Sequence, residues 1–233
     1  MLRDSGLTTS AESPKRFGVL VFDLDGTLLD TLSDIATSSN RVLAARGFPT
    51  HAVETYRPLI GDGPEDCLRR ALPEHHRSDA MVLECLAAYR AEYARNWNRA
   101  TRPYEGIPPL LEAVAVRGAE MAVLSNKLQR DTERCLEAFF PGSRFAPVLG
   151  QDGRRRRKPD PSGALEIAQG LGVAPEDCLL VGDTEIDMAT ARAAGMFPLG
   201  VLWGYRAAAD LTRAGAERLV REPAEILDLV RAR

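Results

Sequence analysis

The sequence predicts an α/β protein with a Rossmann-like parallel-sheet core and an inserted all-helical cap domain. Three observations support this prediction. Short apolar runs bounded by charged or polar residues recur along the chain, as in strands buried on both faces of a parallel sheet. Patterns with helical spacing separate these runs, as in right-handed β-α-β units. Residues 31–102, in contrast, show helical spacing only.

The core elements follow from this alternation. The first apolar run, residues 17–22, is predicted to be a strand buried on both faces. Similar runs predict three further strands, and helical spacing of apolar residues predicts four helices. These strands are 121–124, 178–181 and 199–203, and the helices are 109–116, 131–140, 162–171 and 186–194.

The interval from about residue 31 to 102 is too long to be a loop in a compact domain. We therefore predict a small helical cap domain, hinged near residues 28–31 and 100–106. The N-terminal segment is polar and rich in Ser and Thr, which is typical of a disordered tail. The predicted division is a tail over 1–16, a core over 17–30 and 103–233, and a cap over 31–102.

The composition excludes several classes of partner. The chain has 233 residues, 45% of them hydrophobic, and a formal net charge of −3. Its interspersed charges create no field that favours nucleic acid or an anionic membrane, and no segment resembles a membrane span or a signal peptide. The four cysteines form no Cys-x-x-Cys pair, as expected in a reducing compartment. We expect a cytoplasmic monomer or homodimer that binds neither nucleic acid nor membranes.

Polar side chains follow three of the predicted strands. Asp23 and Asp25 come directly after the first strand, Ser125 and Asn126 after the second, and Asp183 after the third. Ligands bind at the carboxyl ends of strands in an open parallel sheet. Neighbouring strands lie about 4.8 Å apart. The sequence therefore predicts that these groups converge on one pocket.

The aspartates of this predicted pocket need a counter-charge. Asp23 and Asp183 carry two negative charges, and Asp187 lies one helical turn beyond Asp183. Gathered carboxylates repel one another unless a cation or a proton intervenes. Oxygen ligands without a nearby His or Cys favour Mg²⁺, which also accepts phosphate as a ligand. We therefore predict a Mg²⁺ cofactor and a small phosphorylated metabolite as the partner.

Asp23 and Asp25 are two residues apart, so a turn at the following glycine can bring both carboxyl groups over one substrate. One can attack a phosphoryl group to form an aspartyl-phosphate, while the other passes protons to the leaving group. Taken alone, the pair is also typical of a turn and a helix cap after a strand. Ser125, Lys158 and Asp183 at matching positions favour the catalytic interpretation.

Phosphoryl transfer depends mainly on positioning and charge stabilisation. Thr27 and Ser125 offer hydroxyl groups and Asn126 offers an amide. The turn that follows the two aspartates is predicted to offer backbone N–H groups at a helix start. Lys158, in RKPDP, is the candidate cation. Lys127, beside Asn126, is interpreted as a solvated side chain.

Four motifs, in the order DLDGTLLD, LSNK, KPDP and VGDTEID, resemble those of the haloacid dehalogenase superfamily of phosphatases. The resemblance covers residues 17–205. It implies that Asp23 is the nucleophile and a Mg²⁺ ligand, and that Asp25 is the general acid/base and binds the metal through its backbone carbonyl. It also implies that Asp183 is the remaining protein ligand, with Asp187 supporting the metal shell.

The same resemblance implies that Ser125 and Lys158 bind the phosphoryl group being transferred. The true dehalogenases of the superfamily lack this acidic metal set, so its presence implies a phosphatase. The helical insert directly after the first motif is similar to the four-helix cap subclass.

A finer resemblance concerns the substrate. The segments RPLIGDG, RPYEGI and AVLSNK and the late pair Gly204–Tyr205 are similar to those of phosphoglycolate phosphatases. This implies hydrolysis of 2-phosphoglycolate to glycolate and phosphate. Gly61 and Gly63 precede Pro64, which is typical of a first helical turn. The two glycines are predicted to face the substrate and help select it. The alternative is a loop and helix start without that role.

Two other functions stay open at this stage. The same fold could serve another phosphatase, acting on a sugar phosphate, a nucleotide or pyrophosphate, or a phosphosugar mutase. A mutase needs a second phosphate site in the cap, for which Arg57, Arg69 and Arg70 are the obvious donors. A non-catalytic phosphate-binding protein is disfavoured, because both Asp23 and Asp25 are present.

Overall fold

A computed structural model describes residues 15–231 of the chain. The predicted disordered tail, residues 1–16, lies almost entirely outside these residues. The strands in the described range are short, and most of them alternate with helices. They are β1 (Val19–Phe22), β2 (Leu29–Asp30), β3 (Arg102–Pro103), β4 (Glu120–Leu128), β5 (Phe145–Gln151), β6 (Cys178–Gly182), β7 (Phe197–Val201) and β8 (Arg218–Val220).

Six of these strands form one parallel sheet in the order β5-β4-β1-β6-β7-β8. β1 lies between β4 and β6, with Phe22 beside Val123 on one side and Val181 on the other. Because the strands are parallel, their carboxyl ends meet at one edge of the sheet. This arrangement confirms the predicted α/β class with a parallel-sheet core.

The helices lie close to their predicted positions, and Ser162–Leu171 matches its prediction at both ends. No helix of the described range is both long and apolar enough to cross a bilayer. Short 3-10 helices occupy Val53–Leu59, Glu74–His76, Pro175–Asp177 and Pro223–Leu229. The α-helices are α1 (Leu32–Ala45), α2 (Pro64–Ala71), α3 (Asp79–Asn96), α4 (Ile107–Val116), α5 (Gln129–Phe139), α6 (Ser162–Leu171), α7 (Glu185–Ala194) and α8 (Ala208–Ala214).

β1 packs against a hydrophobic core on each side of the sheet. Leu20 and Phe22 belong to a cluster that continues into the helical insert. Val19 and Val21 belong to a second cluster, which includes residues of α6 and α7. Alternate side chains of a strand point to opposite faces, so the uninterrupted apolar run of β1 supplies both cores.

α8 and the two edge strands of the sheet, β5 and β8, were not predicted from the sequence. β5 contains Pro147 and Gly150, and most of its residues are only partly buried. Such a strand lacks the continuous apolar run that marks β1. β8 has only three residues, which is too short for a periodic signal.

The end of β4 also differs from the prediction. The strand continues to Leu128, past the predicted end at residue 124, with a register shift against β5 between Leu124 and Leu128. Ser125 and Lys127 therefore lie within extended backbone instead of following the strand. Side chains two residues apart in a strand share a face.

The interval between β2 and β3 is helical. None of the described residues 31–101 lies in a strand. The chain enters through β2 and returns through β3, which pair antiparallel, and Arg102 and Asp30 form an ion pair at 2.9 Å. The Asp34 carboxylate accepts the N–H of Thr101 at 2.8 Å, so the two connecting segments are joined. The division into core and cap domains, with hinges at these segments, stays a prediction.

Candidate active site

Asp23 lies immediately after β1, and its backbone N–H donates to the carbonyl oxygen of Val181 at 2.9 Å. Its side chain is buried, and Lys158 Nζ lies 2.9 Å from Asp23 Oδ1. Burial raises the pKa of Asp23 to about 7, while Lys158 opposes the shift and Asp187 reinforces it. Lys158 contacts Oδ1, so Oδ2 is the carboxylate oxygen outside this ion pair.

Gly26 allows the ends of β1 and β6 to approach each other. Its φ is +87°, and a Cβ at this position would lie 2.4 Å from Asp183 Oδ2. Both the left-handed backbone and the missing side chain are therefore required. The tight turn brings Asp25 to the same cavity as Asp23.

The turn after Asp25 differs from the prediction in one respect. A short strand, β2, follows it instead of a helix. The N–H groups of Thr27 and Leu28 donate to the carbonyl oxygen of Leu24, at 3.3 and 3.0 Å. These groups are therefore not free for a phosphate, because they close the turn. Among the described residues, the N–H groups of Leu24 and Asp25 have no such backbone partner.

Lys127 is buried, which contradicts its interpretation as a solvated side chain. Its Nζ lies 2.9 and 3.0 Å from the two carboxylate oxygens of Asp25. The same Nζ lies 4.7 Å from the ring centre of Tyr93 in α3, a cation–π contact. One signal could have identified Lys127. Its i, i+2 spacing from Ser125 puts both side chains on one face if the strand continues.

Asp183 follows β6 and is completely buried. Thr27 Oγ1 donates to its Oδ1 at 2.8 Å, and the Tyr205 N–H donates to its Oδ2 at 2.8 Å. Gly204 leaves the space for this carboxylate, since a Cβ there would lie 2.2 Å from Asp183 Cβ. Burial, followed by the charge of neighbouring aspartates, raises the pKa of Asp183.

Thr27 therefore differs from the prediction that it binds substrate. Its side chain has no exposed surface, and its hydroxyl group donates to Asp183. Thr27 therefore orients Asp183. Gly204 and Tyr205 have a similar role, because Gly204 leaves space for the Asp183 carboxylate and the Tyr205 N–H donates to it.

Asp187 connects Lys158 to the start of α7. Lys158 Nζ lies 2.6 Å from Asp187 Oδ1. The Thr184 Oγ1 and N–H donate to Asp187 Oδ2 at 2.6 and 3.0 Å, and the two residues form a capping box. Although burial lowers the pKa of Lys158, Asp187 and Asp23 together raise it. Lys158 therefore stays charged, and its ammonium group links two aspartates.

Ser125 and Asn126 have different surroundings. Ser125 is buried and lines the cavity, and its Oγ accepts the N–H of Lys127 at 3.3 Å. The Asn126 Nδ2 donates to the carbonyl oxygens of Gly61 and Lys158, at 2.9 and 3.0 Å. Its Oδ1 accepts the N–H of Lys158 at 2.8 Å. Asn126 was predicted to bind substrate, but its amide group already holds two loops together.

Three aspartates form a group that could hold a metal ion. Asp23, Asp183 and Asp187 are buried, and one carboxylate oxygen of each lies within 4.8 Å of the others. A carboxylate has about four lone-pair sites, and the two donors to Asp183 leave some of them unused. The all-oxygen donor set suits a hard cation such as Mg²⁺. The residues present therefore fit such an ion.

A cavity of about 50 Å³ lies next to Asp23, with space for a few water molecules. Asp23, Asp25 and Ser125 line it from the sheet side. Gly61 and Gly63, predicted to face the substrate, line it from the helical insert. The glycines let this loop approach the sheet, because a Cβ on Gly63 would lie 3.2 Å from the Asn126 carbonyl oxygen.

The three arginines considered as donors for a second phosphate have other partners. Arg57 donates to the carbonyl oxygen of Gly204 at 3.0 Å, and Arg69 pairs with Asp79 at 2.9 Å. Arg70 pairs with Asp62. None of the three lines the cavity.

A family model described as haloacid dehalogenase-like hydrolase matches residues 20–201 of this sequence. The chain belongs to this family. Two curated relatives are 35% identical to it, and both are named phosphoglycolate phosphatase. The one from Xylella fastidiosa strain 9a5c aligns over 206 residues, 88% of this chain and 89% of that protein. The one from Pseudomonas putida strain KT2440 aligns over 191 residues, 80% of this chain and 70% of that protein.

Solved structures of haloacid dehalogenase-like hydrolases have the same fold. A crystal structure of a Lactobacillus delbrueckii subsp. bulgaricus protein superposes with a TM-score of 0.86 at 30% identity. The match covers 91% of this chain and 97% of that one. These findings confirm the predicted superfamily, the α/β fold class with a helical cap, and the enzyme class, a phosphoric monoester hydrolase.

Proposed function

We propose that this hydrolase cleaves 2-phosphoglycolate to glycolate and phosphate through an aspartyl-phosphate on Asp23. The observation that carries the proposal is the convergence of the motif residues. Lys158 contacts Asp23 and Asp187, and Gly26 brings the Asp25 turn against Asp183. Their meeting around Asp23, which lines the cavity together with Asp25 and Ser125, supports a phosphoryl-transfer site.

In the first step Asp23 Oδ2 attacks phosphorus, and the bond between phosphorus and the ester oxygen breaks. Asp25, protonated for this step, gives its proton to the departing glycolate oxygen. In the second step Asp25 takes a proton from water as the water oxygen attacks phosphorus. The Asp23–phosphorus bond breaks and phosphate leaves. The ion pair with Lys127 holds the Asp25 carboxylate in position for the second step.

Other residues of the chain bind and orient the phosphoryl group. Lys158 supplies a buried positive charge beside the attacking carboxylate, and Ser125 supplies a hydroxyl group in the cavity. The N–H groups of Leu24 and Asp25 are the backbone donors left open by the turn. Charge-assisted hydrogen bonds of this kind stabilise the transferring group.

The proposal includes Mg²⁺ as the cofactor. Asp23, Asp183 and the backbone carbonyl of Asp25 would hold it, and Asp187 would support the shell by holding Lys158. When bound, Mg²⁺ supplies positive charge that offsets the negative charge of the phosphoryl group. We retain the predictions of a cytoplasmic location and of a monomer or homodimer.

The named relatives support 2-phosphoglycolate as substrate. Both relatives described above are named phosphoglycolate phosphatase. A mutase is disfavoured, because Arg57, Arg69 and Arg70 do not line the cavity.

The test is a set of initial rates of phosphate release with Mg²⁺. The substrates would be 2-phosphoglycolate, a sugar phosphate, a nucleoside monophosphate and pyrophosphate. We expect the highest kcat/KM for 2-phosphoglycolate. Asp23→Asn should abolish turnover of every substrate without changing the circular dichroism spectrum, because the nucleophile is lost and the shape is kept. Unchanged turnover in this variant would refute the aspartyl-phosphate mechanism. A higher kcat/KM for another of these compounds would refute the assignment of 2-phosphoglycolate as the substrate.

A further inference from the structure

Arg90 is a cation of the cavity without a partner. It lies on α3, is exposed, and forms no hydrogen bond or ion pair with any residue in the described range 15–231. It lines the cavity that contains Asp23 and Asp25, and also the two surface grooves that adjoin it. Arg90 therefore lies at the mouth of the candidate active site.

The other charged side chains that line this cavity are already paired. Lys127 holds Asp25, and Lys158 holds Asp23 from behind. The Asp131 carboxylate accepts from Arg130 at 3.3 Å. Arg90 is thus the cationic side chain of the cavity lining that is left to meet a ligand.

A second observation comes from the same helix. Tyr93 lies three residues after Arg90, so the two side chains are neighbours on one face of α3. Tyr93 is 3% exposed and lines the cavity, and its hydroxyl group donates to no acceptor among the described residues. Buried hydroxyl groups normally have a partner. An acceptor group of a ligand would give a partner to both the Arg90 guanidinium and the Tyr93 hydroxyl group.

The chemistry of the substrate identifies that acceptor. In the proposed function the donors at the sheet bind the phosphoryl group of 2-phosphoglycolate, which leaves its carboxylate to be bound by other residues. A guanidinium offers parallel N–H donors that match the two oxygens of a carboxylate. Tyrosine supplies one further O–H donor. Arg157, which lines one of the two adjoining grooves together with Arg90, already pairs with Asp66 at 3.0 Å.

We propose that Arg90 and Tyr93 form the subsite that binds the carboxylate of the substrate. Helix α3 then selects phosphorylated acids over neutral phosphate esters. This inference rests on the proposed function and adds the residues that set its specificity.

The test compares 2-phosphoglycolate with ethyl phosphate, which lacks the carboxylate. The measured quantity is the ratio of the two kcat/KM values in the wild type and in variants that keep the wild-type melting temperature. Arg90→Gln should lower this ratio about 10- to 100-fold, mainly through KM, because a charge-assisted hydrogen bond is lost. Tyr93→Phe should lower it about 3- to 10-fold while keeping the ring beside Lys127.

Arg95→Gln is the matched control. Arg95 lies on the same helix, but its side chain is 70% exposed and pairs with Glu92 at 2.8 Å, and it does not line the cavity. The ratio should stay at the wild-type value in this variant. Restoration of part of the ratio in Arg90→Lys would support a charge contact.

The outcomes separate this inference from the function on which it rests. A wild-type preference for 2-phosphoglycolate that survives in Arg90→Gln would overturn the carboxylate subsite and leave the proposed function intact. A wild type that hydrolyses ethyl phosphate as well as 2-phosphoglycolate would overturn the proposed substrate. An equal fall for both esters in Arg90→Gln would also overturn the subsite, because the loss would then be independent of the carboxylate.

Discussion

At the scale of single residues, the contact between Lys127 and Asp25 neutralises one of the negative charges of the site. Four aspartates lie in the site. Lys127 pairs with one of them, Asp25, and Lys158 contacts Asp23 and Asp187. The side chains of Lys127 and Asp25 are only 7% and 14% exposed. Removing one partner of such a pair leaves the other charge buried without compensation.

Lys127→Met should therefore lower both the free energy of unfolding and kcat. We expect the free energy of unfolding to fall by about 3 kcal/mol, since Asp25 loses its partner in a site with little water. We also expect kcat to fall at least about tenfold, because an unpaired Asp25 no longer keeps its position over the substrate. Urea denaturation and initial rates would measure the two effects.

Arg102→Met is the matched control for this change. It breaks an ion pair with Asp30 at the same 2.9 Å distance, but the Arg102 side chain is 69% exposed. Exposed pairs contribute at most about 1 kcal/mol. Equal losses in the two variants would contradict the special role of the buried lysine.

At the scale of elements, two arginines of the parallel-sheet core hold residues 57–62 of the helical insert in place. Arg206, after β7, donates to the carbonyl oxygen of Ile60 at 2.9 Å and to that of Arg57, and it pairs with Glu185 at 2.8 Å. Arg157 donates to the Asp62 carbonyl oxygen at 2.9 Å. Arg157 is therefore a contact between the sheet core and the helical insert.

Arg206→Met should loosen the segment that Arg206 holds. The 3-10 helix Val53–Leu59 and the following Ile60 would lose hydrogen bonds to a side chain that is only 9% exposed. We expect the backbone amides of this segment to exchange hydrogen about tenfold faster or more, since each lost bond is worth about 1 kcal/mol. Hydrogen-exchange mass spectrometry would measure this.

The control for Arg206→Met is Arg213→Met, which breaks an exposed ion pair with Asp210 at 3.0 Å. Exchange in residues 53–60 should not change in that variant, and peptides from β1 should exchange equally in both. Unchanged exchange of residues 53–60 in Arg206→Met would show that other contacts hold this segment.

At the scale of the whole molecule, the site makes stability depend on pH and on metal. Burial raises the pKa of Asp23 from 3.8 to about 7 in the metal-free protein. Between these two values the folded protein binds a proton that the unfolded chain has released. The stabilising effect of this proton is therefore lost as the pH rises through about 7.

We therefore expect the melting temperature of the protein in a chelator to be about 3 °C higher at pH 6 than at pH 8 from this group. One pKa unit corresponds to about 1.4 kcal/mol of stability. Each kcal/mol shifts the melting temperature of a protein of this size by roughly 2–4 °C. Asp23→Asn should lose this difference. At pH 8, Mg²⁺ should raise the melting temperature of the wild type by binding the folded state. A wild-type profile identical to that of Asp23→Asn, with no effect of Mg²⁺, would contradict this account.

The α/β class and the order of most core elements could be predicted from the sequence, and the same patterns identified the aspartates that the fold brings together. Apolar runs and helical spacing are local signals, so β1, β4, β6 and the helix Ser162–Leu171 could be predicted from them. The edge strands β5 and β8 could not, because short or partly exposed strands carry no continuous apolar run.

Which side chains are in contact depends on the packing of the folded chain. Lys127 and Asp25 are 102 residues apart in the chain, and Thr27 and Asp183 are 156 apart. Nothing local in the sequence reveals such a pair, because the contact exists only once β4, β1 and β6 lie side by side. The same holds for Arg90, whose lack of a partner is a property of the folded cavity. Residue types and spacing indicate which chemistry is present, whereas packing determines which groups are paired and which remain free for a ligand.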